Sequence, residues 1–450
     1  MVHRKLRYYY WLFLTFLKKN AKLVITSFVI TFFVIVLLVN SFPFLNILLF
    51  KKSENIGIIG KYTTRTIPTD ILSLISNPLV NINEKGNLTP LLANSWEITE
   101  DSKTYIFHLK SNLYWSDGDT FTAHDIDFQS EGIKTRVVDD NTIEFKLNQP
   151  LSIFPVYLTR PVVKHPLKGV AGLYQVQNMK IDKNNFITSI SLYPNKPNTP
   201  YKTYKFYDGE VDLIAAYKKG HIDLIQTSKR NIADFFKNWK NTSVERSVNL
   251  NQILTLFFNT ESDIFSSRDI RKAFAQATEK FDDLGVLANG PIPPISWAHT
   301  KDLKKYPFDL EKAKTLYEKN KDASGSAEVN LYTFYDYINV AEKLKSDYQQ
   351  MGAQVNFRVL SYIPQDFDML LTIWTPPIDP DQYYFWHSTQ KGDNITRYKN
   401  VKIDKLLEDG RKMINLDERK KIYQEFQETI IDDLPAHFIL YPYVYTIERK

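Results

Sequence analysis

Residues 88–128 read LTPLLANSWEITEDSKTYIFHLKSNLYWSDGDTFTAHDIDF, and the reading of the fold starts there. Within this run Thr104–Leu109 (TYIFHL) alternates apolar and polar side chains, the two-residue period of a strand with one buried face. Thr142–Leu147 (TIEFKL) repeats that alternation, and Ile56–Tyr62 follows it more loosely. Asp117-Gly118 is a turn pair, because glycine takes a positive φ freely and aspartate bonds nearby backbone. Asp208-Gly209 is a second such pair. Trp96 and Trp115 have the size to plug the core of a lobe.

Outward from this run, the period changes. Arg268–Phe281, Asp309–Asn320, Asn339–Met351 and Arg419–Ile431 carry helical spacing, with Asp309 and Asp417 as candidate N-caps. Strands and helices interleave without the regular alternation of a barrel or the self-similarity of a repeat array, which gives α/β or α+β character. A chain of 450 residues exceeds one ordinary core and predicts two or three domains. Tyr193–Pro200 (YPNKPNTP) and Asp322–Ser326 (DASGS) punctuate it, both too short to be linkers between independent domains.

Charge and composition narrow the class. Six of the 57 Lys and Arg residues (Arg4, Arg7, Lys5, Lys18, Lys19, Lys22) lie in residues 1–22 with no acid among them, so those that remain equal the 51 Asp and Glu. A formally neutral body excludes a nucleic-acid binder, which needs clustered cations to neutralise phosphates. The absence of cysteine excludes disulfides, thiolate metal sites, cysteine nucleophiles and an acylated cysteine anchor.

A different anchor is legible. No residue from Leu23 to Phe50 is charged, and about 20 apolar residues at ~1.5 Å each cover a hydrocarbon core. Asn40-Ser41-Phe42-Pro43 is too bulky for a signal-peptidase site, which predicts a retained single span over Leu23–Phe42. Lys51 and Lys52 beyond it are offset by Glu54, so the positive-inside rule puts residues 1–22 in the cytoplasm and the body outside. Tyr8-Tyr9-Tyr10-Trp11 reads as an interfacial aromatic belt.

Chemistry-bearing motifs are missing. The sequence has no phosphate loop, no G-x-G-x-x-G, no H-E-x-x-H and no G-x-S-x-G, and its eight histidines form no i, i+4 pair for a metal. Neither a cofactor nor a metal is expected. Asp379 and Asp381 in Trp374–Asp381 (WTPPIDPD) are the most enzyme-like feature, but carboxylates in a proline-bearing loop more often shape turns. Aromatics crowd Tyr332–Tyr337 and Trp374–Trp386, which suits a pocket that grips side chains by area and stacking.

The run 88–128 resembles the oligopeptide and dipeptide solute-binding proteins, solute-binding family 5. There P-x-L-A-x-S-W precedes an acidic turn, a Y-x-F-x-L strand, a W-x-D-G turn and T-A-x-D. Gly169–Tyr174 (GVAGLY), the G-x-I-D ending of Tyr207–Asp223, Gly290–Trp297 (GPIPPISW) and Phe367–Asp381 resemble later stretches of the family in the same order. The resemblance spans roughly residues 56–447. It implies a two-lobed periplasmic-binding-protein-like α/β fold of type II, with a hinge. The implied lobes are residues 53–253 with 435–450, and residues 254–434, preceded by the anchor in residues 1–52. It further implies a monomeric, membrane-tethered, extracytoplasmic protein, not an enzyme, that closes on a peptide or similar small solute and delivers it to ABC permease subunits. A tethered peptide-sensing module without a transporter is the alternative. Trp374, Thr375, Pro377, Asp379 and Tyr335 are the expected ligand-binding residues.

Two departures qualify that expectation. Residues 129–134 run almost directly into the next strand where the family has a longer helical segment, so the first lobe is trimmed. Pro377 stands where peptide binders of the family often carry an acid for the ligand's α-amino group. Either Asp379 takes over that role, or the ligand is not a free-amino peptide. The competing reading is that Asp379 caps the Asp-Pro-Asp turn.

Overall fold

The computed structural model describes residues 2–49, 53–99, 103–321, 328–364 and 366–450. The expected separator Asp322–Ser326 and the pair Lys51-Lys52 lie outside the described residues.

The architecture turns on one long strand, Ala436–Arg449. Its first half pairs antiparallel with Ile253–Phe258 and with the short strand Gly285–Leu287. Its second half pairs antiparallel with Leu224–Thr227 and Thr242–Val248. On the first side, Ser53–Ile59 runs parallel to both Tyr201–Tyr207 and Leu224–Thr227. On the second side, Met369–Trp374 lies antiparallel to Ile253–Phe258 and parallel to Val329–Phe334, which is itself parallel to Val355–Leu360. Ile253–Phe258 is buried at all six positions, as its unbroken ILTLFF sequence requires of a strand covered on both faces.

Hydrophobic packing separates along this strand. Ile56, Ile190, Leu192 and Tyr204 form one core of the first lobe, and Leu213, Tyr217, Phe236 and Ile447 another. In the second lobe Leu256, Phe274, Leu331 and Tyr348 pack with Ile439 and Leu440, and Phe257, Trp374, Trp386 and Phe426 pack with Phe438. Residues 435–450, expected whole in the first lobe, are therefore divided between the two. The physical reason is length, since 14 residues at ~3.3 Å each outrun the width of one sheet.

The run 88–128 supplies two strands of a separate four-stranded antiparallel sheet, ordered Ala93–Ile98, Thr104–Leu109, Thr142–Leu147, Ile133–Asp139. The alternation in TYIFHL buries Tyr105, Phe107 and Leu109, and that in TIEFKL buries Ile143, Phe145 and Leu147. Trp96 stacks on Phe107 at 5.9 Å, and Trp115 is buried edge-on to Phe121 at 5.2 Å. After the single turn Ala123–Asp125 no helix intervenes before Ile133, so this flank is short, as the sequence indicated. In GVAGLY the glycines are forced by a close approach: a Cβ on Gly169 or Gly172 would sit 1.9 or 2.2 Å from the Ile75 carbonyl oxygen.

The helices fall near their expected places: Arg268–Ala277, Leu310–Asn320, Ile338–Met351 and Leu416–Asp433. Asp309 caps its helix by accepting from Lys312 N. Asp417 does not cap; Asn415 does, accepting from Asp417 N and Glu418 N, which leaves Asp417 in the first turn.

Ahead of the body stand two helices, Val2–Lys19 and Ala21–Leu49. Among the described residues no single helix is long and apolar enough to cross a membrane, but Tyr8–Lys19 and Ala21–Leu37 meet the requirement together, bent by 83°. The single straight span expected over Leu23–Phe42 is not supported in that form, since no single described helix meets the requirement by itself; the break at Asn20 lies ahead of those residues.

Candidate functional site: the gap between the lobes

Parallel strands aim their carboxyl ends at a common edge, and loops leaving that edge are where α/β proteins place ligands. In the first lobe Lys229 follows the end of Leu224–Thr227; in the second Asp336 follows the end of Val329–Phe334. Lys229 Nζ reaches Asp336 Oδ1 at 3.0 Å and Glu210 Oε1 at 2.8 Å, so the two carboxyl edges face one another here. Burial works against the Lys229 charge, but its two carboxylate partners outweigh burial and hold the ammonium above its usual range.

A second bridge closes the other side. Arg411 donates Nε to Asp381 Oδ2 at 3.0 Å and Nη2 to the Tyr157 hydroxyl at 2.7 Å. The Tyr157 hydroxyl in turn donates to Asp381 Oδ2 at 3.4 Å. Tyr157 belongs to the first lobe, Asp381 and Arg411 to the second. The Arg411 guanidinium also lies over the Tyr383 ring at 4.1 Å. Burial pushes the Asp381 carboxyl up against the pull of Arg411, and burial together with Asp381 pushes the Tyr157 phenol up. Burial opposes the Arg411 charge, yet Asp381 and Tyr157 hold it firmly protonated.

Between the lobes beside this bridge opens a cavity of ≈ 1160 Å³. Residues 125–133, Arg65 and Arg160 line its first-lobe wall; Tyr383, Tyr384 and Glu408 line the opposite one. The trimmed flank of the first lobe thus forms part of the wall.

The expected ligand-binding residues are distributed unevenly. Tyr335 projects from the end of Val329–Phe334 with 77% exposure, and Thr375 is exposed at the end of Met369–Trp374. Pro377 is half-buried, beside an exposed Ile378. Trp374 packs into the second lobe against Phe385, Trp386 and Phe438, with its indole N–H buried and without a hydrogen-bond partner.

Asp379 lies inside. Arg419 donates Nη1 to Asp379 Oδ2 at 2.8 Å and Nη2 to Oδ1, both side chains being 5% exposed. Asp379 Oδ1 also accepts from Asp381 N at 3.0 Å, the turn-capping bond weighed from the sequence. With both oxygens engaged by one guanidinium, this carboxylate is already neutralised. Arg411 and Arg419 were missed by the sequence reading. Arg419 left a signal, because it sits on the stripe of Tyr423, Phe426 and Ile430 that its helix buries, where a lone cation demands a partner.

A two-lobed α/β fold with facing carboxyl edges and an interlobe cavity defines the class of hinged solute-binding proteins. Residues 87–395 match the bacterial extracellular solute-binding proteins, family 5 (middle region), and the chain belongs to that family. It is 23% identical to the oligopeptide-binding protein AppA of Bacillus subtilis (strain 168) over 474 aligned residues, 86% of each chain. The structure of that protein with a nonapeptide superposes with a TM-score of 0.71 at 21% identity, covering 89% of this chain and 95% of the other. NikZ of Campylobacter jejuni in complex with Ni(L-His) gives a TM-score of 0.71 at 22% identity, covering 89% and 94%. Likeness at this level concerns the fold.

Proposed function

We propose that this chain is the capture component of an ABC importer. It encloses a peptide or similar small solute between its lobes and hands it to a permease, with its body outside the cell and its N-terminal helices in the membrane. The observation that carries the reading is the apposition of the two carboxyl edges, bridged at Lys229–Asp336, with solute space between lobes rather than within one. The names of relatives favour peptide, and one relative takes a nonapeptide.

Closure follows from the same geometry: only the closed state touches ligand from both walls, and that differential affinity shifts the population. Arg65 and Arg160 are exposed on the first-lobe wall and suit a ligand carboxylate, whereas Asp127 and Glu131 nearby suit an ammonium. Mass spectrometry of solutes that co-purify with residues 53–450 identifies the ligand, and titration of it with small-angle scattering tests the motion. The expected result is micromolar or tighter binding with a smaller radius of gyration. Failure of a di- to nonapeptide library to bind, with no co-purifying solute, overturns the peptide reading.

A further inference from the structure

We propose that helix Val2–Lys19 lies flat on the anionic cytoplasmic face of the membrane, as an interfacial helix at right angles to the segment that enters the bilayer. The proposal rests on the tether reading above and adds a second, lipid-specific contact.

The bend decides the matter first. Two helices 83° apart cannot both follow the bilayer normal, so when one of them enters along it the other lies close to the plane. Ala21–Leu49 carries one charge, Lys22, at its start, and none from Leu23 onward. Val2–Lys19 carries five Lys and Arg and no acid, so it is the one left at the surface. A re-entrant hairpin of both helices is excluded by Lys18, Lys19 and Lys22 at its tip, since three ammonium groups cannot sit in hydrocarbon without partners. Asn20 supplies the elbow: its N–H closes the first helix on Phe16 O, and its carbonyl opens the second by accepting from Leu23 N and Val24 N.

Periodicity then points the same way. Tyr9, Phe13, Phe16 and Leu17 recur at i, i+4, i+7 and i+8 and share one face. Arg4, Arg7, Trp11, Thr15 and Lys18 recur along the opposite one, while Lys5 falls at the N-terminal end of the apolar face. Tyr9, Phe13 and Phe16 are each more than half exposed, so nothing among the described residues covers them. An apolar face with most of the cations away from it and no acid is the make-up of a helix held at the headgroup boundary of anionic lipid. The continuous apolar helix beyond Asn20 fixes it there.

The chain has no cysteine, so single substitutions give unique spin-label sites in the full-length protein. The labels are placed at Tyr9→Cys, Phe13→Cys and Phe16→Cys, at Tyr8→Cys and Thr15→Cys, and at Val29→Cys. The protein is reconstituted in vesicles of phosphatidylcholine with or without phosphatidylglycerol. The expected result is that sites 9, 13 and 16 collide several-fold more with oxygen than with a water-soluble nickel chelate, and sites 8 and 15 the reverse. The contrast weakens without phosphatidylglycerol, or when Arg4, Arg7, Lys18 and Lys19 are changed to glutamine. If Val29→Cys reports hydrocarbon while sites 8–16 show no alternation, the interfacial helix is wrong and the tether stands. A contrast equal in both lipids refutes the anionic preference. If Val29→Cys reports water, both readings fall.

Discussion

Asparagine at position 379 should damage stability far more than it damages ligand discrimination. Asp379 and Arg419 are each 5% exposed and joined by two N–H···O bonds. Once the carboxylate is replaced by a neutral amide, the guanidinium keeps the Gly410 carbonyl at 2.9 Å from Nε, the Tyr423 hydroxyl at 3.3 Å from Nη2, and the faces of Trp297 and Tyr423 at 5.4 and 5.2 Å, with no negative charge among them. The asparagine amide would also turn a donor toward a donor. Leaving one member of a buried pair uncompensated costs about 3–5 kcal/mol. Urea unfolding of residues 53–450, followed by tryptophan fluorescence, should show this loss for Asp379→Asn and for Arg419→Met. The double variant Asp379→Leu with Arg419→Met should recover most of it, because an apolar pair of similar volume is nearly neutral. Peptides with free and acetylated N-termini supply the counter-test. If Asp379→Asn kept the wild-type midpoint yet lost its preference for the free amine, the carboxylate would be a ligand group and the buried-pair account would be refuted.

Three further outcomes follow from particular contacts. Tyr157→Phe removes the hydroxyl between Arg411 and Asp381, worth about 1.5–3 kcal/mol for bonds to charged groups; the ligand-free protein should then scatter as a more open particle, and an unchanged radius counts against an interlobe clamp. Burial holds the His437 imidazole down to about 4, below its unfolded value of 6.5, so its contribution is full above that unfolded value and lost as pH falls toward 4. This amounts to at most about 3 kcal/mol, and His437→Leu should flatten the corresponding limb of the stability–pH curve; a superimposable limb removes His437 from the account. Gly169→Ala places a methyl 1.9 Å from the Ile75 carbonyl and should cost about 1–3 kcal/mol or more by calorimetry, whereas Gly118→Ala, with open space around it, should report only its backbone strain.

Much of the fold was legible because local chemistry and tertiary role agreed. The alternation in TYIFHL and TIEFKL gave their strands and buried faces, and Asp309 ahead of an apolar stripe gave a capped helix start. The last strand was harder: AHFILYPYVY is apolar or aromatic apart from His437, and nothing in it marks where it passes from one sheet to the next. At the site, the sequence located the loop Trp374–Asp381 but not its facing. Two aspartates separated by one proline look equivalent until their partners are known, and Arg411 and Arg419 lie 30 and 40 residues away from them. Asn20 carries no mark of its break, since neither proline nor glycine stands beside it and the break shows only in the backbone bonds on its two sides.

The shared strand Ala436–Arg449 also governs when the protein can fold. All four of its partners, Leu224–Thr227, Thr242–Val248, Ile253–Phe258 and Gly285–Leu287, precede it in the chain by at least 149 residues. Until residue 449 has emerged, both large sheets lack the strand that joins them, and the contacts that complete them are of the slow, non-local kind. One late strand thus ties the completion of both halves together.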